Sequence, residues 1–484
     1  MKRVLIANRG EIAVRIIRTL KKLGVYTISI YSEVDKNNPH AHIAHESYNL
    51  HDTLCYLDID KIVETAKKAK ADAIHPGYGF LSENYLFAKA CKDNNIIFIG
   101  PSPESIEILG DKVLARKIAQ EVQVPIPPGM DITTNNPEEI HKYAQELGYP
   151  IMIKAAKGGG GKGIRVVYNP KDLIDSIQAA KREALAAFKD DSVYIEKYFE
   201  NPRHIEVQIF GDHYGNVIHL NLRECSIQRK HQKLIEEAPA LDEQMQNQIA
   251  QAAIKIAKKV NYYNAGTVEF IYKDGKFYFL EVNTRLQVEH PVTEMITGLD
   301  LVELQYLIAM GHKVPEKVNF NGHSIECRIT AEDPENNFMP VTGKIKYVEF
   351  PPNARIDTFI EPGTEISPYY DSLICKVITK GNTRHEAIQN MIYALKNLII
   401  LPIKTNKNLL LSIISSKEFQ EGQVHTNFIQ QYFQNWKETY QNVLDENIIS
   451  ALYYKFGNMT KNQVWLKTPA RNQTQKYDLS IWKA

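Results

Sequence analysis

The chain has 484 residues, and its 58 Lys and Arg residues nearly balance its 57 Asp and Glu residues. This balance argues against nucleic-acid binding and against attachment to a membrane surface, both of which usually need a basic patch. The five scattered cysteines lack metal-ligand spacing, and the N-terminal apolar segment is too short for a signal peptide. No apolar run approaches the roughly 20 residues of a membrane span. These features predict a cytoplasmic globular protein with reduced thiols.

The first hundred residues alternate short apolar strands with helices, beginning with a predicted strand at Val4–Ala7. A helix with apolar residues at helical spacing follows and ends at Gly24, a residue type common at helix C-termini. The alternation then continues through the predicted strands TISIYS, AIHPG and IIFIG and the predicted helices IVETAKKAKA and FAKACKDNN. Strands separated by helices favour a parallel, doubly wound sheet, so an α/β domain is predicted over residues 1–110.

Two further regions and a tail follow this domain. Residues 111–328 are richer in strands, and residues 329–440 mix strands with helices such as HEAIQNMIYALKNLI, so both are predicted to be α+β units. Residues 441–484 are polar and rich in Gln, Asn and Lys, and their role is left open.

A glycine-rich loop, KAAKGGGGKGIRVV, begins at Lys154. It is not a Walker A loop, because Gly163 stands where the magnesium-binding Ser or Thr would follow Lys162. A dinucleotide-binding loop opens a helix, whereas this loop opens into a β-branched segment at Ile164–Tyr168. A strand, glycine loop and strand in succession predict a flap whose amides bind phosphate. The alternative is a flexible solvent loop.

A second pattern, GTVEFIYKDGKFYFLEVN, predicts a hairpin that carries two glutamates. A strict two-residue Asp-Gly turn pairs Glu269 with Leu280 and places the two glutamates on opposite faces. A three-residue loop, or a bulge at Gly275, pairs Glu269 with Glu281 directly. The alternation also predicts that one face holds Phe277, Phe279, Glu281 and Asn283.

Two carboxylates and an amide oxygen that face the same way suit Mg²⁺, which prefers oxygen ligands and also contacts substrate phosphates. The candidate ligands are Glu269, Glu281 and Asn283. The alternative is one solvated glutamate on each face of the hairpin.

Four polar side chains crowd the six residues after the hairpin, namely Arg285, Gln287, Glu289 and His290. The planar fork of an arginine suits a carboxylate or bicarbonate, and a neighbouring glutamate can serve as a general base. A surface ion-pair cluster is the alternative.

A charged run, QRKHQKLIEE, lies earlier in the chain. It concentrates Arg229, Lys230, His231 and Lys233, and Glu236 and Glu237 follow. Such a run is most often a solvated face, but beside an ATP-binding loop it can line the path of a transferring phosphate.

Nine motifs occur in the order found in biotin carboxylases of the ATP-grasp superfamily, and the resemblance extends from Met1 to about Tyr440. The motifs are ANRGEIAVR, HPGYGFLSEN, GDK, KAAKGGGGKG, EKYFENPRHIE, QRKHQK, LEVNTRLQVEHPVTEM, ECRITAEDP and YYDSLICK. The resemblance implies a Rossmann-like pre-ATP-grasp domain over 1–110 and an ATP-grasp domain over 111–328. It also implies a mobile glycine-rich lid at about 127–200 and a C-terminal biotin carboxylase domain over 329–440.

The resemblance also implies a ligase. Family members use ATP, Mg²⁺ or Mn²⁺ and bicarbonate to make carboxyphosphate, then carboxylate N1 of biotin. This is the first half-reaction of an acetyl-CoA or related acyl-CoA carboxylase, as in fatty acid biosynthesis. The sequence lacks the Met-Lys-Met hairpin that bears biotin, so biotin is expected in trans on a carrier protein or carrier domain. Carboxyltransferase subunits are the other implied partners, and homodimers are common in the family.

The resemblance assigns nucleotide contacts to the positions that match family motifs. They are Lys112, Lys154, Gly160, Gly161, Glu196, Lys197, Tyr198, Phe199, His204, Gln228, His231, Glu269 and Glu281. It also assigns the metal to Glu269, Glu281 and Asn283, which requires the bulged register of the hairpin.

The remaining assignments concern bicarbonate and biotin. The implied bicarbonate pocket comprises Lys233, Arg285, Gln287 and the backbone of Val288. Glu289 matches the general base that deprotonates bicarbonate, and Arg328 matches the arginine that stabilises the biotin enolate. The implied catalytic set is therefore Glu289, Arg285, Arg328 and Lys233.

Three positions depart from the usual pattern, namely Lys157, Leu222 and Val341, and none has an assigned role. The tail resembles the start of the extra region of longer carboxylase α-subunits, and the alternative is a docking tail. A non-catalytic scaffold is the competing class of function, and loss of Glu289, Arg285 or Arg328 would favour it. All three are present.

Overall fold

The structure is a computed structural model that describes residues 2–132, 136–155, 164–230 and 232–438. Predictions for Lys157, Gly160, Gly161, Lys162, His231 and the 441–484 tail lie outside the described residues. Within these ranges, no helix combines the length and the apolar character needed to cross a membrane.

The N-terminal unit is the predicted parallel, doubly wound sheet, with strand order β3-β2-β1-β4-β5. Val4 and Ile6 pack against helix α1 on one face, while Leu5 packs on the other face in a core that contains α2 and α3 residues. Its strands are β1 (Arg3–Ile6), β2 (Tyr26–Ser32), β3 (Glu46–His51), β4 (Ala73–His75) and β5 (Ile97–Phe98). Its helices are α1 (Gly10–Lys22), α2 (Ile59–Lys68), α3 (Tyr85–Asp93) and α4 (Pro103–Gly110).

A small antiparallel sheet of order β6-β9-β7-β8 flanks the predicted glycine loop. Ile151 and Ile153 of β7 are buried with Ile140 and Ile177 of two covering helices, which fixes one face of this sheet. The helices are α5 (Lys112–Glu121), α6 (Pro137–Leu147) and α7 (Leu173–Phe188). The strands are β6 (Gly129–Asp131), β7 (Ile151–Ala155), β8 (Arg165–Val167) and β9 (Val193–Lys197). β7 and β8 are the two strands predicted on either side of the loop.

The largest sheet has eight antiparallel strands and links the second and third regions of the chain. Its order is β14-β13-β10-β11-β12-β15-β22-β20. The predicted boundary between residues 328 and 329 lies inside β15, so the sheet is continuous across it. The strands up to this point are β10 (Arg203–Gly211), β11 (Val217–Arg229), β12 (Gln232–Ala238), β13 (Asn264–Lys273), β14 (Lys276–Asn283) and β15 (His323–Thr330). The helices are α8 (Glu243–Lys259), α9 (His290–Thr297) and α10 (Leu301–Ala309).

The C-terminal region packs four helices and short strand pairs against β15 and β22 around one apolar core. The strands are β16 (Glu332–Asp333), β17 (Met339–Pro340), β18 (Gly343–Lys344), β19 (Tyr347–Glu349), β20 (Arg355–Thr358), β21 (Glu365–Ile366), β22 (Leu373–Gly381) and β23 (Ile399–Leu401). The helices are α11 (Arg384–Asn397), α12 (Lys407–Ser415), α13 (Lys417–Gln420) and α14 (Phe428–Tyr432).

A buried ion pair ties β12 to this C-terminal region. The guanidinium of Arg384 donates from Nε and Nη2 to the two oxygens of Glu237, at 2.7 and 3.0 Å. His323 Nε2 lies 2.9 Å from the same carboxylate. Burial opposes ionisation of Glu237, but hydrogen bonds from His323 and Arg384 lower its pKa to about 2.

Glu237→Gln is therefore expected to destabilise the fold by about 3 kcal/mol near pH 7, since one pKa unit corresponds to about 1.4 kcal/mol. A lowered folded-state pKa contributes stability above the unfolded value of about 4.5 and loses it as the pH falls toward 2. The thermal midpoints of wild type and variant should differ most at pH 7, and the gap should narrow as the pH falls below 4.5 and close only near pH 2. A constant gap would contradict this account of Glu237.

Candidate active site

The hairpin of β13 and β14 contains a bulge in its second strand. Asp274 and Gly275 form a two-residue turn with φ angles of 49° and 76°, and Lys273 pairs with Lys276. Phe270 pairs with Phe279, but Glu269 pairs with Glu281, so Leu280 is the extra residue. The predicted pairing of the glutamates is confirmed. The predicted place of the irregularity, in the turn or at Gly275, is wrong.

This bulge also changes which side chains share a face. Phe277 and Phe279 pack with Val282 in the core beside α8, so the bulge has moved that face one residue along the strand. Asn283 points the other way, because its Nδ2 donates to Glu269 Oε1 at 2.9 Å. The predicted common face of Phe277, Phe279, Glu281 and Asn283 is therefore wrong, and the polar pair faces away from both rings.

Lys233 of β12 lies at the centre of three carboxylates. Its Nζ donates to Glu206 at 2.6 Å, Glu269 at 2.9 Å and Glu289 at 2.7 Å. Burial disfavours the ammonium, yet the three anions raise the pKa of Lys233 well above its usual value. The solvated-face alternative for the charged run is thus wrong at this residue, which joins three strands and the loop after β14.

Glu269 is buried among groups that keep it ionised. His204 Nε2 lies 3.0 Å from its carboxylate, and Lys233 and Asn283 contact the other oxygen. Burial alone would raise its pKa, but Lys233 and His204 hold the pKa of Glu269 well below its usual range. Burial disfavours the protonated form of His204, but the charge of the Glu269 carboxylate favours it, and the pKa of His204 is raised.

Glu289 is fully buried between two cations. Its Oε1 accepts from Lys233, and its Oε2 accepts from Arg328 Nη2 at 2.8 Å. Against the effect of burial, these two cations and Arg223 hold the pKa of Glu289 well below its usual range. Arg328 Nε also donates to Glu236 Oε1 at 2.6 Å. The guanidinium is thus held by two carboxylates, each through a different nitrogen.

The predicted bicarbonate residues form a second polar group beside Glu289. Arg285 donates to Gln287 Oε1 at 2.8 Å, to Asn283 Oδ1 at 3.1 Å and, through Nε, to Glu83 Oε2 at 2.9 Å. Gln287 Nε2 is buried and has no hydrogen-bond partner among the described residues. An unpaired buried donor costs free energy, so it marks a place where an acceptor such as a bicarbonate oxygen fits. The Val288 carbonyl accepts from Lys376 Nζ at 2.9 Å, which fixes the loop.

Helix α5 connects the small sheet to the bulged hairpin through Lys112, a predicted nucleotide residue, and Arg116, which had no predicted role. Lys112 Nζ lies 3.2 Å from Glu281, and Arg116 donates to Glu196 at 2.8 Å. Lys154 pairs with the other oxygen of Glu196. Glu196 therefore positions two cations close to the strand that precedes the glycine loop.

The other predicted nucleotide residues lie at the ends of strands around this helix. Lys197 Nζ donates to the carbonyl of Gly148 at 2.7 Å. The amide of Tyr198 donates to the carbonyl of Pro150, and the ring of Phe199 stacks on Tyr278 with centroids 4.7 Å apart. Gln228 pairs with Lys233 in the register of β11 and β12.

Several residues of this site were given no role from sequence, namely Glu83, Arg116, Glu206, Arg223 and Lys376, and Glu236 was named only as part of the charged run. Glu206 shares Lys233 with Glu269 and also pairs with the buried Arg223. In the sequence Glu206 and Lys376 are single charges in apolar or β-branched stretches, which is the pattern of an outward-facing strand residue. The sequence does show a charged residue between apolar neighbours at these positions, but it does not show which residue that charge contacts.

Three family descriptions match the chain in succession. "Biotin carboxylase, N-terminal domain" covers residues 1–106, "Carbamoyl-phosphate synthase L chain, ATP binding domain" covers 111–317, and "Biotin carboxylase C-terminal domain" covers 326–431. The chain belongs to the biotin carboxylase family. It is thus an ATP-grasp ligase with the three-domain architecture predicted from its motifs.

Relatives in other organisms agree with this family. Biotin carboxylase 1 of Bacillus subtilis is 48% identical over 445 residues, which cover 89% of this chain and 99% of that protein. The mitochondrial methylcrotonoyl-CoA carboxylase subunit alpha of Rattus norvegicus is 46% identical over 462 residues, covering 93% of this chain. The chain spans only 64% of the length of that subunit.

Two solved structures share the fold. The biotin carboxylase–β-γ-ATP complex from Campylobacter jejuni has a TM-score of 0.86 and 46% identity, covering 89% of this chain and 99% of that chain. The biotin carboxylase domain dimer of Hydrogenobacter thermophilus 2-oxoglutarate carboxylase, in complex with MgADP and bicarbonate, has a TM-score of 0.87 and 44% identity. It covers 90% of this chain and 99% of that domain.

Proposed function

We propose that this biotin carboxylase uses ATP and bicarbonate to carboxylate biotin held on a separate carrier. The observation that supports this most is the position of Glu289, a buried carboxylate between Lys233 and Arg328. Lys233 also contacts Glu269, one of the predicted metal ligands, and Arg328 lies on β15. Glu289 is thus a proton acceptor that lies between Lys233, on the side of the phosphate, and Arg328. This position suits a reaction of two half-steps that use the same carboxylate in turn.

The first half-step is proposed to activate bicarbonate with the γ-phosphoryl group of ATP. Arg285, Gln287 and Lys233 supply donors for bicarbonate, and Gln287 Nε2 has no hydrogen-bond partner within the described ranges. Glu289 accepts the bicarbonate proton. Its ion pairs keep it ionised and therefore able to accept, although they also weaken it as a base. When bicarbonate binds to Lys233, Lys233 interacts less with Glu289, so Glu289 becomes a stronger base.

Glu269, Glu281 and Asn283 fit Mg²⁺ through their chemistry, because the bulge places two carboxylates directly opposite one another with an amide beside them. Bound there, the ion neutralises charge on the transferring phosphoryl group. Lys112 and Lys154 add positive charge on the nucleotide side, where the predicted amides of Gly160 and Gly161 close over phosphate. Exclusion of water protects carboxyphosphate, which is unstable in water.

The second half-step breaks the bond between the carboxyl carbon and the phosphate oxygen of carboxyphosphate and forms a bond from that carbon to N1 of biotin, and the released phosphate takes the N1 proton. The ureido nitrogen of biotin is barely acidic, so its deprotonation needs a cation near the developing enolate oxygen. Arg328 supplies that cation. Protonation of Glu289 in the first half-step removes the negative charge that held Nη2 of Arg328, which makes this edge available to biotin.

The partners follow from this chemistry. Biotin arrives on a biotin carboxyl carrier protein or domain, and a carboxyltransferase subunit accepts the carboxyl group. The relatives include carboxylases of methylcrotonoyl-CoA, propionyl-CoA and pyruvate, so the choice of acceptor is assigned to the transferase rather than to this chain. Acetyl-CoA, in fatty acid synthesis, is one such acceptor. The dimeric domain from Hydrogenobacter thermophilus supports a homodimer.

The test is ATP hydrolysis by the purified chain with Mg²⁺, measured with bicarbonate and biotin added separately and together. We expect hydrolysis to require bicarbonate and to rise when free biotin is added. Hydrolysis that ignores both additions in folded, nucleotide-binding protein would contradict the proposal. If a biotinylated carrier also failed to stimulate it, the scaffold alternative would be favoured.

A further inference from the structure

Arg328 has to remain oriented after Glu289 releases it, and the structure contains a second carboxylate in position to do this. Glu289 contacts Nη2 at 2.8 Å, whereas Glu236 contacts Nε at 2.6 Å. The two carboxylates come from different elements, since Glu236 lies on β12 and Glu289 follows β14. Loss of one contact therefore leaves the other in place.

We propose that Glu236 is the positioning residue for Arg328 and holds its guanidinium during the step in which Glu289 is protonated. This inference rests on the proposed function, because it assumes that Glu289 takes the bicarbonate proton. A neutral Glu289 attracts the guanidinium less, so Nη2 can turn to the biotin oxygen. Without Glu236, the guanidinium of Arg328 would no longer be held in place during the step in which it stabilises biotin.

The backbone of Arg328 is already fixed by other contacts. Asn406 Nδ2 donates to the carbonyl of Arg328 at 2.9 Å, and Asn406 Oδ1 accepts from the amide of Thr330. On the neighbouring strand, the backbone of Arg328 pairs with Lys376 of β22. Glu236 therefore acts on the side chain alone, which is the part that must point toward substrate.

Glu326 is a second buried carboxylate beside Glu236, and the two differ in which of them is neutral. It pairs with Glu236 in the register of β12 and β15, so the two side chains lie on the same face. Both Glu326 oxygens are buried and have no hydrogen-bond partner in the described part of the chain. Burial and the Glu236 charge, opposed by Lys376 and Arg328, raise the pKa of Glu326 well above its usual range, so this residue is the neutral member of the pair. Glu236, in contact with the arginine, is the member of the pair that ionises at the lower pH.

The matched control is Glu237, the next residue of the same strand. It is also buried and also pairs with an arginine, but its partner is Arg384 rather than a residue of the active site. Glu236→Gln and Glu237→Gln therefore remove the same charge at adjacent positions. Any general effect of losing a buried ion pair on β12 is shared by both variants.

The experiment measures the kinetics of biotin-stimulated ATP hydrolysis at pH 8 for wild type and both variants. This pH is chosen because burial, against the effect of Arg328, raises the pKa of Glu236 to about 7. In Glu236→Gln we expect kcat/KM for biotin to fall about 10- to 100-fold, as is typical when a group that orients a functional residue is lost. The KM for ATP should stay within about twofold of wild type, and Glu237→Gln should retain the wild-type kcat/KM for biotin.

Glu236→Asp provides a second variant because it keeps the charge on a shorter side chain. We expect it to recover part of the lost kcat/KM for biotin, and it also tests the inference if Glu236→Gln does not fold. An unchanged kcat/KM for biotin in a folded Glu236 variant would overturn the inference, as would an equal loss in Glu237→Gln. Absence of biotin stimulation in the wild type would instead overturn the proposed function, and the inference with it.

Discussion

Glu289→Gln is expected to reduce bicarbonate-dependent ATP cleavage by about 10²- to 10⁴-fold, the usual contribution of a positioned general base. The amide has nearly the same shape as the carboxylate but cannot accept the bicarbonate proton. The measurement is the steady-state rate of hydrolysis at saturating ATP and bicarbonate, with and without biotin. Both rates should fall, because carboxyphosphate formation precedes the use of biotin.

The fold should survive this substitution. Lys233 retains Glu206 and Glu269 as partners, and Arg328 retains Glu236, so neither cation is left unpaired. The thermal midpoint should fall, as expected when a buried ionised carboxylate is lost, but the variant should fold and bind ATP like wild type, and both measurements serve as controls. If a folded, ATP-binding variant kept more than about a tenth of the wild-type rate, Glu289 would not be the base.

Arg328→Lys is expected to have its main effect on the biotin-dependent rate, which should fall about 10²- to 10³-fold. Lysine keeps the positive charge, but its single nitrogen cannot replace Nε, which holds Glu236, and Nη2, which is proposed to turn to biotin. Because the charge remains among Glu236 and Glu289, the variant should fold. The biotin-independent part of the hydrolysis should fall much less.

Arg384→Lys is the matched control for this prediction. Arg384 also holds a buried carboxylate on β12 through two nitrogens, yet its other contacts are the carbonyls of Phe419 and Gln420 in the C-terminal region. It should lower the thermal midpoint and leave the biotin-dependent rate intact. A loss in Arg328→Lys that is equal with and without biotin would contradict the role of Arg328 in the second half-step.

The parallel sheet and the flap strands were predicted from the local alternation of apolar residues. The residues of the hairpin left two registers open, and the pairing of Glu269 with Glu281 was predicted from the resemblance to biotin carboxylases. The sequence could not locate the bulge at Leu280. Leu280 and Val282 are similar in apolar character, and only packing against α8 decides that Val282 joins the core. The prediction for the faces of β14 failed for the same reason.

Leu222 shows how packing accounts for a departure from the family pattern. It is buried in the core with Val207 and residues of α8, so its position needs an apolar side chain. Val341 likewise packs against the C-terminal core, and its amide donates to the carbonyl of Ala331. Neither residue contacts the Lys233 cluster in the contacts described above.

Glu206 and Glu236 were missed because their partners are distant in sequence. Glu206 meets Glu269 only because β10 lies beside β13, and Glu236 meets Arg328 only because β12 lies beside β15. Strand order in an antiparallel sheet is set by long-range packing, and no local pattern encodes it. Lys233 was recognised through its motif, but its burial among three carboxylates came from the same strand order.

Transfer of isotopic label shows whether this chain carboxylates biotin with the carbon of bicarbonate. The purified chain is incubated with ¹⁴C-bicarbonate, MgATP and free biotin, and label on biotin is measured at alkaline pH after unreacted label has been exchanged with unlabelled CO₂, because N1-carboxybiotin decarboxylates in acid. We predict labelled biotin that requires ATP and is absent in Glu289→Gln. Sustained, bicarbonate-dependent ATP cleavage without labelled biotin, even when a biotinylated carrier is supplied, would contradict the account.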